Sequence, residues 1–495
     1  MRATTSAAQP LTKTEVATIA AITLGALVLR VVGSNSGLWI DEIYSLVDFF
    51  RVPLGRMVAA FPRDNHHPLY SALAHLSIGA FGEAPWSIRL PAVLFGTATV
   101  PLLYGLGRYV GSRREALLAA ALLAVSYHHV WFSQNARGYA MLAFFTVACT
   151  WVLLRILEGG PRRLAFLYGA SAALGAYTHL TMVFIVVGHA AVCIALLATS
   201  SGRLVWERNR SAILLAFFAA ALGTLLLYSP VLLQVQSFFA SRPSNLKGVS
   251  TTSWAMLETV RVLALGFGAG NAALGAVVIA AGGVLFAVGL ASYARRDPVA
   301  LSLFLAPVAV IFAGAAAARG TFYPRFLFAF AGFGVLIGVR GVLVAAGWVE
   351  RRLRPRAMGE AGSERLGTAL MACAILLSCA SLRNLYRLPK QDFVGAERHI
   401  ESSRTAGESV AVAGAAITPY RDYLRHDWPL VKTAAELNRM RSTHAVWLVY
   451  TFPRYLARSA PEVMAIAKQE CRDAPEFRGT VGDGDVVVCR LKPLR

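Results

Sequence analysis

Charge is the scarcest thing in this sequence. Asp, Glu, Lys and Arg supply 15% of its 495 residues, against 56% hydrophobic, where a soluble domain carries roughly 25% charged residues. That balance, with a mean hydropathy of +0.54, excludes a water-soluble globular chain. Acids are rarer still, 27 against 48 Lys and Arg. No phosphate-cradling G-x-x-x-x-G-K-S/T loop and no G-x-G-x-x-G fingerprint occurs, which excludes the common ways of holding a nucleotide. No RNA- or DNA-binding motif accompanies the formal charge of +21, so no nucleic-acid partner is expected and the charge reads as membrane topology. The first apolar run lacks a small-residue cleavage signal before the acids that follow it, and is expected to be retained as a helix.

What the chain has instead is a succession of apolar runs, each near the roughly 17 to 25 residues that cross a bilayer. They fall at 16–33, 88–110, 115–132, 138–157, 163–178, 180–199, 211–230, 273–293, 299–317, 326–346 and 366–384. The expected fold is a polytopic α-helical membrane protein with about eleven transmembrane helices over residues 1–384, then a smaller domain over 385–495. Lys and Arg are retained on the cytoplasmic side in short loops. With the N-terminus inside, Arg2 and Lys13, Arg108, Arg113 and Arg114, Arg155, Arg162 and Arg163, Arg203, Arg208 and Arg210, Arg295 and Arg296, and Arg351 to Arg356 all fall there. Counting 67–82 as a span would move "GRYVGSRR" and "RILEGGPRR" outside, so 67–82 reads as a helix along the outer interface, as does 44–60.

This topology gathers the polar motifs on the outer face: "GLWIDEIYSL" (37–46) in a first outer loop over 34–87, "RDNHHPLY" (63–70), "WSIRLP" (86–91), "SYHHVWFSQNARGYAM" (126–141), "GAYTHLTM" (175–182) and "RGTFYPRF" (319–326). Ionisable groups at membrane depth are costly, so Asp41, Arg89, Arg137, His179 and Arg325 are expected to line a cavity. A carboxylate can take a proton from a hydroxyl or amine nucleophile, and arginines hold phosphate through charge-assisted, often bidentate hydrogen bonds. Together these parts suit group transfer from a lipid phosphate. Trp39, Trp86, Trp131, Tyr139 and Tyr177 suit sugar stacking or, equally, an interfacial aromatic belt.

The order "WIDE", "HHPLY", "IRLP", "FSQNARGYAM", "YTH" and "YPRF" resembles the integral-membrane glycosyltransferases of the GT-C class, specifically the glycosyltransferase 39 or dolichyl-phosphate-mannose protein mannosyltransferase-like family, a group that includes the lipid A aminoarabinose transferase. The resemblance is concentrated in residues 37–182. It implies a GT-C fold with interfacial helices in the first outer loop, a polyprenyl-phosphate sugar as donor, and inversion by direct displacement. By the same resemblance Asp41 is the general base, supported by Glu42. Arg137 and Arg325 are the expected phosphate ligands, with Arg89 next, unless Arg89 forms a salt bridge that holds the outer loop to Asp41 or Glu42. Gln134, Tyr139, His179 and His67 are expected around the sugar. Asn135 stands where the family often has an acid, which puts a charge role there in doubt. Glu42, His66 and His67 are candidate ligands for a divalent metal, although the His pair lacks a defined ligand spacing.

The tail changes character. "SVAVAG", "HAVWLVY" and "GDVVVCRL" read as buried strands and "RYLARSAPEVMAIAKQ" as a helix, giving a small extracytoplasmic α/β domain. Cys149, Cys193, Cys373 and Cys379 fall in spans, whereas Cys471 and Cys489 fall where an oxidising compartment permits a disulfide. The outer loop 231–272 reads as a mobile cover for the site or an ordinary connection, and residues 1–12 as disordered. The expected function is glycosyl transfer to a lipid, glycan or protein acceptor at the outer face of a bacterial inner membrane. A transporter, flippase or polymerase of lipid-linked sugars is the alternative, for which the inverted repeats and broken helices of transporters are not seen. A membrane anchor for the tail domain would not call for eleven spans.

Overall fold

The computed structural model describes residues 10–63, 65–241, 272–317, 324–353, 365–471 and 474–494. The outer loop 231–272, read as a possible cover, lies for its greater part outside the described residues, as do residues 1–9. The eleven apolar runs fall on helical segments, the run 115–132 being divided between two helices, Arg113–Ala124 and Tyr127–Ser133. Seven helices are long and apolar enough to cross a membrane among the described residues, and eight if the pair Arg113–Ala124 and Tyr127–Ser133, bent by 58°, is one span. Met182–Ala198 and Pro298–Gly314 are apolar but shorter. The helix Pro68–Phe81 has 14 residues, about 21 Å at 1.5 Å per residue, which is too short for a hydrocarbon core of about 30 Å.

The chain divides into two compact units that are not sequential. The first comprises Met1–Val32, Leu54–Ser77 and Arg89–Arg383; the second comprises Gly33–Pro53, Ile78–Ile88 and Asn384–Arg495. A division at residue 384 places both of the shorter stretches with the spans, whereas in the structure they pack with the tail. Continuity along the chain is a weaker constraint than packing, and short connecting segments join whichever surface buries them.

Helices of the first unit start where capping chemistry dictates. Thr12 and Glu15 form a capping box at Lys13–Val31, and Ser112 and Glu115 another at Arg113–Ala124, each satisfying two backbone N–H groups that the first turn leaves unpaired. Small residues set the closest helix pairing. A Cβ at Gly289 would overlap the Ile337 carbonyl, and one at Gly341 the Leu285 carbonyl, so Ala272–Arg296 and Ala331–Leu353 approach backbone to backbone, as membrane helices do where packing replaces the hydrophobic effect.

The second unit carries a five-stranded sheet of β1 (Ser409–Ala413), β2 (Leu430–Val431), β3 (Val446–Tyr450), β4 (Glu476–Phe477) and β5 (Val486–Leu491), in the order β2-β1-β3-β5-β4. β1 runs parallel to β2 and β3, while β5 is antiparallel to β3 and β4. Every residue of β3 is buried, as a central strand covered on both faces requires. The expected helix over 454–469 is broken into Pro453–Ser459 and Pro461–Glu470. Pro461 explains this, because the residue before a proline is driven from the helical region, and Ala460 sits at φ −149°, ψ 70°. Cys471 and Cys489 are joined in a disulfide with Cα atoms 5.5 Å apart, tying the end of the second helix to β5. Cys373 and Cys379 are exposed on their helix rather than packed, unlike Cys149 and Cys193.

Candidate active site

Three separate sequence motifs converge in the first unit. His67 precedes the helix Pro68–Phe81, Arg137 and Tyr139 flank the break between Tyr127–Ser133 and Tyr139–Leu157, and His179 caps Arg163–Thr178. Arg137 donates from Nε to His67 Nε2 at 3.1 Å. The other ring nitrogen, Nδ1, lies 3.0 Å from the Thr178 carbonyl oxygen, one of the carbonyls that a helix end leaves unpaired. Arginine Nε–H can only donate and a carbonyl can only accept, so one tautomer satisfies both bonds: the proton sits on Nδ1. Doubly protonated imidazole would set two donors against each other. Burial first, then the Arg137 guanidinium, accordingly holds His67 well below the usual imidazole range.

The remaining members stack on this pair. The His67 ring centroid is 4.8 Å from His179 and 5.8 Å from Tyr139, His179 and Tyr139 are 5.4 Å apart, and the Arg137 guanidinium lies 5.6 Å over the Tyr139 ring. His179 accepts from the Thr181 amide at 3.1 Å, and burial with the charges of Arg137 and Arg325 pushes it down to about 3. Arg325, half-buried at the head of the segment Pro324–Phe330, thus acts on the same cluster. Beside it Phe328 stacks on Phe132 at 4.1 Å, and Phe132 packs against Tyr139 at 5.3 Å. Gly138 fits because nothing larger does: a Cβ there would meet the Thr178 carbonyl oxygen at 2.8 Å and His67 Nδ1 at 3.2 Å.

Gln134 does something other than line a sugar pocket. Its amide donates to the Leu29 and Arg30 carbonyls at 3.2 and 3.1 Å and to that of Val32, closing the C-terminus of Lys13–Val31. Next to it Arg30, which sequence reasoning passed over as part of a span, is fully buried. Arg30 donates to the Ala26 and Ala124 carbonyls at 2.8 and 3.1 Å and meets His129 Nδ1 at 2.7 Å. An arginine near the end of an otherwise apolar run was the available signal. Arg89, in the first turns of Pro85–Val110, is also fully buried.

Asp41 and Glu42 belong to the second unit, on the short helix Ile40–Ser45. Glu42 is fully buried and turns back to accept from the Trp39 amide at 3.3 Å, pairing one N–H at the start of its own helix. Asp41 is half-buried. The amide of Ile40 donates at 2.8 Å to Oε1 of Gln391, whose Nε2 donates to the Gly484 carbonyl at 2.8 Å and Thr451 Oγ1 at 3.3 Å. Gln391 is 1% exposed. The turn that carries the acid pair is therefore anchored to the residues that follow β3 and precede β5, two interior strands of the tail's sheet. Arg51 adds a second tie, with Glu83 at 2.7 Å and the Asp422 carbonyl at 3.0 Å. The three stretches of the second unit are locked by these two side chains.

Among the described residues no group of three or more His, Cys, Asp or Glu could hold a metal ion. Both ring nitrogens of His67 are engaged, burial brings His66 down to about 4, and Glu42 caps its own helix, so the three candidates named from sequence are not presented as a ligand set.

This architecture is that of the GT-C class of integral-membrane glycosyltransferases. By sequence, residues 65–234 match the family model described as dolichyl-phosphate-mannose-protein mannosyltransferase. Among solved structures the chain resembles ArnT from Cupriavidus metallidurans bound to undecaprenyl phosphate, with TM-score 0.53 and 13% identity over 95% of this chain and 97% of that one. It also resembles the archaeal oligosaccharyltransferase AglB from Archaeoglobus fulgidus in complex with an inhibitory peptide and a dolichol-phosphate, with TM-score 0.53 and 12% identity over 94% of this chain and 72% of that one. No curated protein matches by sequence. His67, Arg137, Tyr139 and His179 all lie inside the matched segment; Asp41, Glu42 and Arg325 lie outside it.

Proposed function

We propose that this chain transfers a sugar from a polyprenyl-phosphate carrier to a lipid, glycan or protein acceptor at the outer face of a bacterial inner membrane. The observation that carries the reading is the convergence of His67, Arg137, Tyr139 and His179 from three distant motifs, all inside the segment that matches the mannosyltransferase family. The similar fold of ArnT, solved with undecaprenyl phosphate bound, supports a polyprenyl phosphate as the leaving group.

In this reaction the acceptor's hydroxyl or amine attacks the anomeric carbon, the bond from that carbon to the phosphate oxygen breaks, and polyprenyl phosphate leaves. Asp41 takes the acceptor's proton as the new glycosidic bond forms. Direct displacement inverts the anomeric centre and needs no covalent enzyme intermediate. Arg325, the half-exposed arginine of the set, pairs with the phosphate and stabilises the charge that develops on it. Arg137 is spent differently: with its Nε committed to His67 and its face over Tyr139, it fixes the ring cluster against which the sugar sits, and its charge remains available to the phosphate. Glu42 shapes the helix that presents Asp41. Keeping the histidines neutral leaves the cluster's positive charge on arginine alone, so the site holds phosphate over a wide pH range.

Purified protein incubated with a panel of radiolabelled polyprenyl-phosphate sugars and membrane extract tests this. Time-dependent release of sugar from one donor into an acceptor fraction is expected. Movement of intact lipid-linked sugar across a vesicle bilayer, without cleavage of the phosphate bond, would replace the transferase with a transporter.

A further inference from the structure

A second charged site lies in the first unit, away from the ring cluster. Ser112, Arg114, Glu115, Arg296, Arg340 and Arg351, with the apolar surface of Leu343, Val344 and Gly347, line a cleft of about 300 Å³. Two connections run from the cluster to this cleft. The bent pair Arg113–Ala124 and Tyr127–Ser133 leads from Glu115 to the Arg137 loop, and Ala331–Leu353 leads from beside Phe328 to Arg351. The cleft therefore sits at the opposite end of the bundle, the end that the distribution of Lys and Arg assigns to the cytoplasm.

Among the described residues that line it are one carboxylate and four guanidinium groups. Glu115 takes Arg340 Nη1 at 2.6 Å, holds Arg296 at 4.0 Å, and accepts from the Ser112 amide at 2.7 Å. Arg340 is fixed further by Ser292 Oγ at 2.9 Å and by the Tyr293 ring 5.4 Å from its guanidinium. Glu115 is thus fully committed to its own helix cap and to two arginines. Among the described residues Arg351 has no acidic partner, and Arg296 remains 44% exposed at its side chain. Arg351 is exposed as well, so two charges from different helices stay open to solvent beside the apolar strip of Leu343, Val344 and Gly347. Excess guanidinium beside an apolar strip fits a phosphate ester with a hydrocarbon tail.

We propose that this cleft binds a phosphate group, with Arg296 and Arg351 as its direct ligands and Arg340 as the residue that positions Arg296 through Glu115. An anionic phospholipid headgroup and free inorganic phosphate share this chemistry. The test uses the full chain in a neutral detergent and reads its thermal unfolding with added phosphatidylglycerol, phosphatidylcholine or inorganic phosphate. The wild type should gain several degrees with phosphatidylglycerol and none with phosphatidylcholine. The double variant Arg296→Gln/Arg351→Gln should lose that gain, while Arg162→Gln/Arg163→Gln, which removes the same charge elsewhere at that end, should keep it. An equal gain from millimolar inorganic phosphate would identify a free-phosphate site, and a gain from the lipid alone a headgroup site; both support the cleft. No gain in the wild type from either phosphatidylglycerol or inorganic phosphate, or equal loss in both double variants, would overturn it.

Discussion

The two units carry their functional groups in opposite ways. In the first, His67, Arg137, Tyr139 and His179 are packed ring on ring, with hydrogen bonds that fix even the tautomer of His67. In the second, Asp41 rides half-buried on a single turn and a half of helix, anchored through the backbone of Ile40 to the side chain of Gln391. The groups proposed to bind the donor thus sit at helix ends, whereas the proposed proton acceptor is set by one buried amide contributed 351 residues later. The difference teaches where each part should fail: substitutions in the ring cluster should damage donor binding and catalysis together, and those around Gln391 should damage turnover alone.

Removing Arg137 should have the largest effect short of the base itself. Arg137→Ala leaves His67 Nε2 without its donor and removes the cluster's charge, and leaving a buried polar group unpaired costs roughly 1 to 3 kcal/mol. Arg137→Lys should rescue little, because an ammonium cannot present the planar guanidinium to ring and imidazole at once. Steady-state kinetics on both variants, with donor KM and kcat read separately, would show both parameters altered. Preserved donor KM in Arg137→Ala would detach the cluster from binding.

Gly138→Ala comes next. The new methyl would press on the Thr178 carbonyl and His67, and overpacking of this kind costs roughly 1 to 3 kcal/mol. Raised donor KM with the fold retained is expected. Gln391→Leu, by contrast, should leave donor KM near the wild-type value and lower kcat by about tenfold, since orphaning the buried Ile40 amide costs on the order of 1 to 3 kcal/mol and loosens the turn that holds Asp41. A donor KM that moved as much as kcat would erase the distinction between the two regions.

The smallest effect concerns the tail alone. Glu408 accepts from Arg490 Nε at 2.9 Å and Trp447 Nε1 at 2.7 Å, which hold its carboxyl down to about 2. A depressed carboxylate stabilises the fold at pH above its unfolded value near 4.5, and that contribution is lost as pH falls from about 4.5 toward 2. Glu408→Gln should lower the melting temperature of the tail by only a few degrees at pH 7 and flatten its dependence on pH below 4.5. An unchanged acid limb would show that the pair contributes nothing there.

Much of the helical scaffold was legible, because membrane spans announce themselves in composition: all eleven runs fall on helical segments, and the polar motifs between them include every member of the ring cluster. The three long strands of the tail were legible from runs such as "HAVWLVY", whereas β2 and β4, of two residues each, leave no periodic trace. Pro461 carried a signal that the helix reading overrode. Gln134 lay inside a family-like motif yet closes a helix end, since motif membership does not say which way a side chain points. The tie between Gln391 and Ile40, the neutral tautomer of His67 and the discontinuous second unit are products of tertiary packing, and no local pattern encodes a contact between residues so far apart.

Asp41 is proposed to receive the acceptor's proton. The direct measurement compares wild type and Asp41→Asn, both shown to be folded by melting temperature, for release of sugar from the preferred polyprenyl-phosphate donor across pH 5 to 8. General base catalysis contributes about 10² to 10⁴ in rate, so the account predicts a loss of that size in Asp41→Asn with donor binding retained. Transfer by Asp41→Asn at the wild-type rate would contradict it.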